Sequence, residues 1–261
     1  MKHSLVIIGG GNMGSAILSG IPKEFNVSVC EEDEIRAESL INQFNAKIKD
    51  ISKDLMNVKT LLLAVKPQDF EDVLEEIRPY FNNQLIISIA AGITTSYIEK
   101  RLGSKVRVVR VMPNLPAQVN EGMAGICKGE FATDKDIDLT HRIFDSIGKT
   151  VVVDEKWMDA ITAVSGSGPA YVFLFIECFE KAARSLGLKE DMTKQLVQQT
   201  LKGSLRLLES QKIEAGELRA RVTSKGGTTQ AAMDIFAKRK IEKVFEQALK
   251  AAARRAKELA K

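Results

Sequence analysis

Over its first 154 residues the chain alternates between two hydrophobic periods. Unbroken apolar runs at residues 5–8, 60–65, 85–89 and 106–111 have the length of strands, and such runs belong to a sheet covered on both faces. Between them, residues 35–44 and 70–77 carry apolar positions at helical spacing, and another helix starts near Thr94. Residues 26–30 read as a second strand, 124–127 and 150–153 as weaker ones, and 136–147 as a helix. This alternation predicts a right-handed, mostly parallel, doubly wound α/β sheet. From about Glu155 the strand-like runs cease, and residues 169–186, 191–209 and 241–260 read as helices. Val172-Phe173-Leu174-Phe175-Ile176 is apolar on every side, and such a helix must be buried. A small helical domain does not easily cover it alone, so burial against a second subunit is expected. Gly187 is placed to stop that helix. The predicted division is an α/β domain over 1–154 and an all-α dimerisation and substrate domain over 155–261.

Composition narrows the possible classes. With 44% hydrophobic residues, 28% charged residues and a net charge of +4, the chain reads as an ordinary globular protein, with no case for nucleic acid as a partner. Three widely separated cysteines, Cys30, Cys127 and Cys178, disfavour a disulfide framework and fit a reducing cytoplasm. Only two histidines, His3 and His141, are present, so no metal site is expected. The N-terminal apolar run is broken by glycines and is no signal peptide. No stretch is expected to reach the length of a membrane span, so no membrane partner is expected.

The first apolar run ends in Gly9-Gly10-Gly11-Asn12-Met13-Gly14, and a helix-compatible segment follows at once. Gly9, Gly11 and Gly14 have the G-x-G-x-x-G spacing. It provides a tight turn, close backbone approach to a pyrophosphate, and close helix–strand packing. The helix that opens here turns its free N–H groups and positive dipole end toward phosphates. Roughly 20 residues on, the second strand ends in Glu31-Glu32, where a carboxylate takes the ribose hydroxyls. A carboxylate there repels a 2′-phosphate, which favours NADH, or tolerance of either nucleotide, over strict NADPH use. Arg36 is the one nearby group that argues otherwise, while Asp33 and Glu34 also suit a helix start. Three later strands end in Lys66-Pro67, Ala90-Ala91-Gly92 and Met112-Pro113-Asn114, the crevice side of an open α/β sheet. In the helical half, Ser165-Gly166-Ser167-Gly168-Pro169-Ala170 precedes the all-apolar helix. Thr223-Ser224-Lys225-Gly226-Gly227-Thr228-Thr229 precedes a helix beginning near Gln230. Glycines and hydroxyls at a helix start either bind a carboxylate or simply cap the helix.

Taken together, the glycine turn, Ala64-Val65-Lys66-Pro67-Gln68, Ala90-Ala91-Gly92, Met112-Pro113-Asn114, Ser165 to Tyr171 and Val222 to Thr229 closely resemble pyrroline-5-carboxylate reductase. The resemblance spans essentially the whole chain. It implies a Rossmann-type N-terminal domain, reduction of 1-pyrroline-5-carboxylate to L-proline with NADPH or NADH, and a homodimer or larger ring. It further implies that Ile8, Gly9, Gly10, Gly11, Asn12, Met13, Ala64, Val65, Lys66, Pro67, Ile89, Ala90 and Ala91 line the dinucleotide. Glu155, Ser167, Gly227, Thr228 and Thr229 are implied at the substrate. In the expected mechanism Thr229 hydrogen-bonds the ring nitrogen, the N–H groups of Gly227 and Thr228 bind the carboxylate, and Lys66 and Asn114 fix the nicotinamide end. Glu31-Glu32 departs from the small hydroxyl residues frequent in relatives. Arg221 stands where Asn is frequent and receives no role. The alternatives are a related β-hydroxyacid dehydrogenase or imine reductase, for which Ser165 to Ala170 offers no catalytic acid or lysine, and a dinucleotide-sensing protein without turnover.

Overall fold

In a computed structural model that describes residues 2–103 and 105–259, apart from the side chains of Lys53 and Asp54, eight strands join into one sheet. They are β1 (His3–Ile8), β2 (Phe25–Cys30), β3 (Lys47–Ile48), β4 (Thr60–Leu63), β5 (Leu85–Ser88), β6 (Arg107–Met112), β7 (Gly122–Lys128) and β8 (Gly148–Val152). Their order is β3-β2-β1-β4-β5-β6-β7-β8, and every neighbouring pair is parallel except the antiparallel pair β6–β7. The winding direction reverses between β1 and β4, which makes the crevice beyond their carboxyl ends the place for a ligand. Register brings those ends level: Ile8 lies beside both Cys30 and Leu63, and Leu63 beside Ser88.

Alternation along the strands explains the unbroken apolar runs. Leu5, Ile7, Leu62 and Ile87 join a core on one face of the sheet, while Val6, Ile8, Leu61, Leu63 and Ile86 join a second core on the other. Helices α1 (Asn12–Gly20) and α5 (Asp134–Phe144) contribute to the first core. Helices α3 (Phe70–Ile77) and α4 (Thr95–Leu102) contribute to the second. Helix α2 (Glu34–Phe44) opens on Asp33, whose carboxylate accepts from Arg36 N at 2.8 Å. Thr94 caps α4 by accepting from Tyr97 N. Thr133 and Asp136 cap α5 reciprocally.

The chain forms two compact units, Met1–Pro169 with Lys250–Lys261, and Ala170–Leu249. Beyond the sheet come α6 (Met158–Ile161), a π-helical turn Thr162–Gly166, and α7 (Gly168–Ser185). Helices α8 (Glu190–Gln211), α9 (Ala215–Arg221), α10 (Thr228–Lys238) and α11 (Ile241–Glu258) follow. Gly187, at φ +92, stops the chain after α7 as expected. The predicted end of the last helix, Ala260, lies outside the described residues.

Within one chain the apolar middle of α7 is left uncovered, as the expectation that it needs a second subunit requires: Val172, Phe173 and Leu174 are each more than half exposed. One expectation is corrected here. A stretch of membrane-span length exists, because Glu155–Ser185 is a helical run of 31 residues with a mean hydropathy of 1.3 in its apolar window. The segment Ser165–Ala170, expected to precede the helix as a cap or a carboxylate site, instead spans the end of the π-turn at Gly166 and the start of α7 at Gly168. Pro169, in the first turn of α7, has no helical N–H to lose.

Burial pushes the thiols of Cys30 and Cys127 up to about 12 from 9.0. The folded chain keeps both protons up to about pH 12, while the unfolded chain begins to release them near 9.0, so the fold loses stability as pH rises through that window. Denaturation midpoints taken across that window should fall, and Cys30→Ala/Cys127→Ala should flatten the slope. Identical slopes in both proteins would contradict this origin.

Candidate nucleotide and substrate sites

The glycine turn is built around the absence of side chains. Gly9 sits at φ +98, and a Cβ there would lie 2.8 Å from the Ala64 carbonyl oxygen, so the ends of β1 and β4 meet closely. A Cβ at Gly14 would run into the carbonyl oxygen of Gly9, so α1 can press onto the turn only with glycine at this position. Gly11 is the opposite case, with nothing within 4 Å of its would-be Cβ. It is the N-cap of α1 and supplies no side-chain cap, which leaves the first N–H groups of the helix facing open space at the positive end of the dipole. That combination of open room and unpaired donors suits a dinucleotide's pyrophosphate.

Of the two acids at the end of β2, Glu31 turns toward the glycines and Glu32 is exposed. Glu31 Oε2 accepts from Gly10 N at 2.7 Å, and Oε1 accepts from Asp33 N at 3.0 Å. Arg36 Nη1 donates to both oxygens at 3.1 and 3.2 Å. The Glu31 side chain is 5% exposed and that of Arg36 47%, so a partly open guanidinium covers a nearly closed carboxylate.

Along the same edge, Ala64 N donates to Ile8 O at 2.7 Å and Ile89 N to Leu63 O at 3.1 Å, which aligns Ala64–Pro67 and Ile89–Ala91 beside the turn. Lys66 is exposed at this edge. Asn114 follows β6, but its carboxamide is taken up by the protein. Nδ2 donates to Ser165 O at 3.2 Å and to Ser165 Oγ at 3.3 Å, while Oδ1 accepts from Met123 N at 2.8 Å. Its visible task is to fasten the π-helical turn that carries Ser165 to the end of β6. Ser167 closes that turn through its N–H to Thr162 O at 2.8 Å.

Glu155 is engaged in a network of its own. It accepts from Thr95 N at 2.9 Å, from Thr95 Oγ1 at 2.7 Å, and from Arg110 Nη1 at 3.2 Å. Arg110 is 3% exposed, and among the described residues its Nη2 has no partner. Sequence reading passed over Arg110. The signal was a cation inside the apolar strand Val108-Val109-Arg110-Val111, which requires a buried counter-charge. A cavity of about 720 Å³ borders Thr95, Lys128, Glu155 and Trp157, and none of the glycine-turn residues line it.

In the second unit, α10 begins at Thr228, two residues before the expected start. Gly226 turns the chain at φ +73, and Gly227 is the N-cap, again without a side-chain cap. The Gly227 N–H, expected on a carboxylate, donates instead to Ser224 O at 3.0 Å. The helix-start donors are therefore the N–H groups of Thr228 and Thr229, in the first turn of α10. The structure thus gathers Ile8 to Gly14, Glu31, Ala64 to Pro67 and Ile89 to Ala91 at one sheet edge. It gathers Gly227, Thr228 and Thr229 at one helix start.

Residues 155–259 match a family model described as pyrroline-5-carboxylate reductase dimerisation, and residues 4–92 one described as NADP oxidoreductase coenzyme F420-dependent. The chain is 37% identical to pyrroline-5-carboxylate reductase of Haemophilus influenzae, over 99% of this chain and 98% of that protein. It is 32% identical to pyrroline-5-carboxylate reductase 2 of Bacillus subtilis, over 97% and 93%. Among solved structures, a pyrroline-5-carboxylate reductase from Coxiella burnetii superposes with a TM-score of 0.91 at 34% identity, covering 100% of both chains. Plasmodium falciparum pyrroline carboxylate reductase with NADP bound gives 0.89 at 30%, covering 99% of this chain and 98% of that one.

Two glycine substitutions separate fold from ligand. Gly14→Ala should destabilise the protein by about 1–3 kcal/mol through the clash with Gly9. Gly11→Ala should leave the melting temperature nearly unchanged and weaken dinucleotide binding about tenfold, roughly 1.4 kcal/mol. Calorimetry and nucleotide titration of both variants check this. Equal melting temperatures for the two would contradict the geometry.

Proposed function

The chain belongs to the pyrroline-5-carboxylate reductase family, and on that premise we propose how its residues divide the work. It is an NAD(P)H-dependent oxidoreductase that reduces the C=N bond of 1-pyrroline-5-carboxylate to L-proline, the last step of proline biosynthesis. The observation that carries the division of labour is a helix in each unit that starts on glycine without a side-chain cap, α1 at Gly11 and α10 at Gly227. The first is assigned the pyrophosphate and the second the substrate carboxylate.

The bound reduced nicotinamide supplies the hydride. A protonated imine is already electrophilic, so the chain needs no strong general acid; its contribution is positioning and electrostatics. The N–H groups of Thr228 and Thr229 hold the carboxylate, which fixes the ring. The Thr229 hydroxyl oxygen accepts from the protonated ring nitrogen and keeps the charge at that atom. Lys66 fixes the nicotinamide end, while Asn114 acts from behind by holding Ser165, which keeps the neighbouring Ser167 in register with the substrate. Glu155 neutralises Arg110 and steadies the start of α4, and we assign it to the substrate side of the site only through that support.

The chain is a homo-oligomer, since it carries its family's dimerisation unit. We take residues 1–154 as the dinucleotide-binding domain and 155–261 as the dimerisation and substrate-binding domain, assembled as a homodimer or a larger ring. The exposed apolar face of α7 is covered by a second copy rather than by lipid, a reading supported by the dimerisation match, which runs through it over 155–259. Three free cysteines support a reducing, cytoplasmic compartment.

Oxidation of NADH or NADPH that begins only when pyrroline-5-carboxylate is added tests the reaction; nucleotide binding without turnover would favour the sensing alternative. Thr229→Ala should cost about 1–3 kcal/mol of transition-state binding, a loss of roughly five- to 150-fold in kcat/KM. Unchanged kinetics would remove Thr229 from the mechanism. Phe173→Glu/Phe175→Glu should shift the protein to smaller species in sedimentation velocity, because a charge replaces apolar contact at an interface core. Retention of the full assembly would place the interface elsewhere.

A further inference from the structure

We propose that Glu31 and Arg36 form a charge lock that gives this enzyme a preference for NADH over NADPH. The inference rests on the assignment of the glycine turn to the dinucleotide and goes beyond it. Glu31 ends β2 and its carboxylate bridges two neighbours, Gly10 N at 2.7 Å on the turn and Arg36 Nη1 at 3.1 Å on α2. Arg36 is held a second time by Asp33, 3.6 Å from Nη2. The cation nearest to where a 2′-phosphate would arrive is therefore already committed to two carboxylates.

Accepting that phosphate requires Arg36 to leave Glu31. The carboxylate, only 5% exposed, would then stand beside a dianion with its counter-charge withdrawn. Glu31-Glu32-Asp33-Glu34 sets four acids in the five residues before this one arginine, two of them paired with it, so the local charge is net negative and opposes the phosphate before contact is made. A ribose 2′-hydroxyl faces none of this: it donates to the Glu31 carboxylate while Arg36 stays paired, so the counter-charge is not withdrawn. The bond from Gly10 N stays in place throughout. Glu31 therefore acts twice, anchoring the glycine turn and choosing the nucleotide, while Arg36 is a phosphate ligand held in reserve.

The test measures affinity and turnover separately. Binding of NADH and of NADPH to the full-length protein, followed by nicotinamide fluorescence, should favour NADH about tenfold or more, equivalent to roughly 1.4 kcal/mol. Glu31→Ser frees Arg36 and should narrow or invert the ratio, even if both affinities fall with the loss of the Gly10 acceptor. Glu31→Ser/Arg36→Ala should lose the gained NADPH affinity. Glu31→Gln keeps the shape and the Gly10 bond and should narrow the ratio if the serine variant fails to fold. Equal affinities in the unaltered protein, or an unchanged ratio in both single variants, overturns the lock. If both nucleotides bind but neither is oxidised with pyrroline-5-carboxylate, the reductase assignment fails, and the binding ratio still decides this proposal.

Discussion

A carbonyl oxygen with no room for a methyl group beside it governs the layout of this protein. Gly14 lies so close to Gly9, and Gly9 so close to Ala64, that the start of α1, the end of β1 and the end of β4 form one rigid corner. Close packing there aims the α1 dipole along the sheet edge. The corner holds because the strands behind it are buried on both faces, Leu61, Leu62 and Leu63 all at 0% exposure. A strand in contact with cores on both sides has little freedom to slide, so the loops at its end inherit its precision. Parallel register then carries the alignment outward from Ile8 to Leu63 and Ser88, and the layout of the strand ends beside the glycine turn is the sum of these alignments.

Helix starts in this chain differ in what covers their first N–H groups. Helices α2, α4 and α5 begin on side-chain acceptors from Asp33, Thr94 and the Thr133–Asp136 pair. Helices α1 and α10 begin on Gly11 and Gly227 with no side-chain acceptor. A glycine N-cap costs only about a few tenths of a kcal/mol against a capping side chain, and an anion that accepts the same donors would more than offset it.

Much of this was legible from residue order. Strand-length apolar runs, the glycine spacing and the acid after β2 each have a local physical cause, and each appears where that cause places it. The less legible features depend on partners distant in sequence. Nothing near Asn114 announces Ser165, 51 positions away, nor does the neighbourhood of Glu155 reveal Arg110 and Thr95. The start of α10 moved from Gln230 to Thr228 because Gly226, at φ +73, completes the turn early enough for both threonines to be helical. The glycine segment before α7 includes the end of a π-turn, which no periodicity rule separates from a capping loop.

The exposed face of α7 follows from the same economy of burial. Phe173 and Phe175 are 56% and 45% exposed in the isolated chain, too much aromatic surface to leave in water and too continuous to be scattered surface residues. The segment that bears them is continuous with Ser165 and Gly166, the residues that Asn114 ties to the end of β6. On the proposed reading, a second copy seated on this face would hold a helix whose preceding turn Asn114 already fastens at Ser165. The same contact that hides the two phenylalanines would then also limit the movement of the turn they continue from, because a helical run transmits restraint along its hydrogen-bonded backbone.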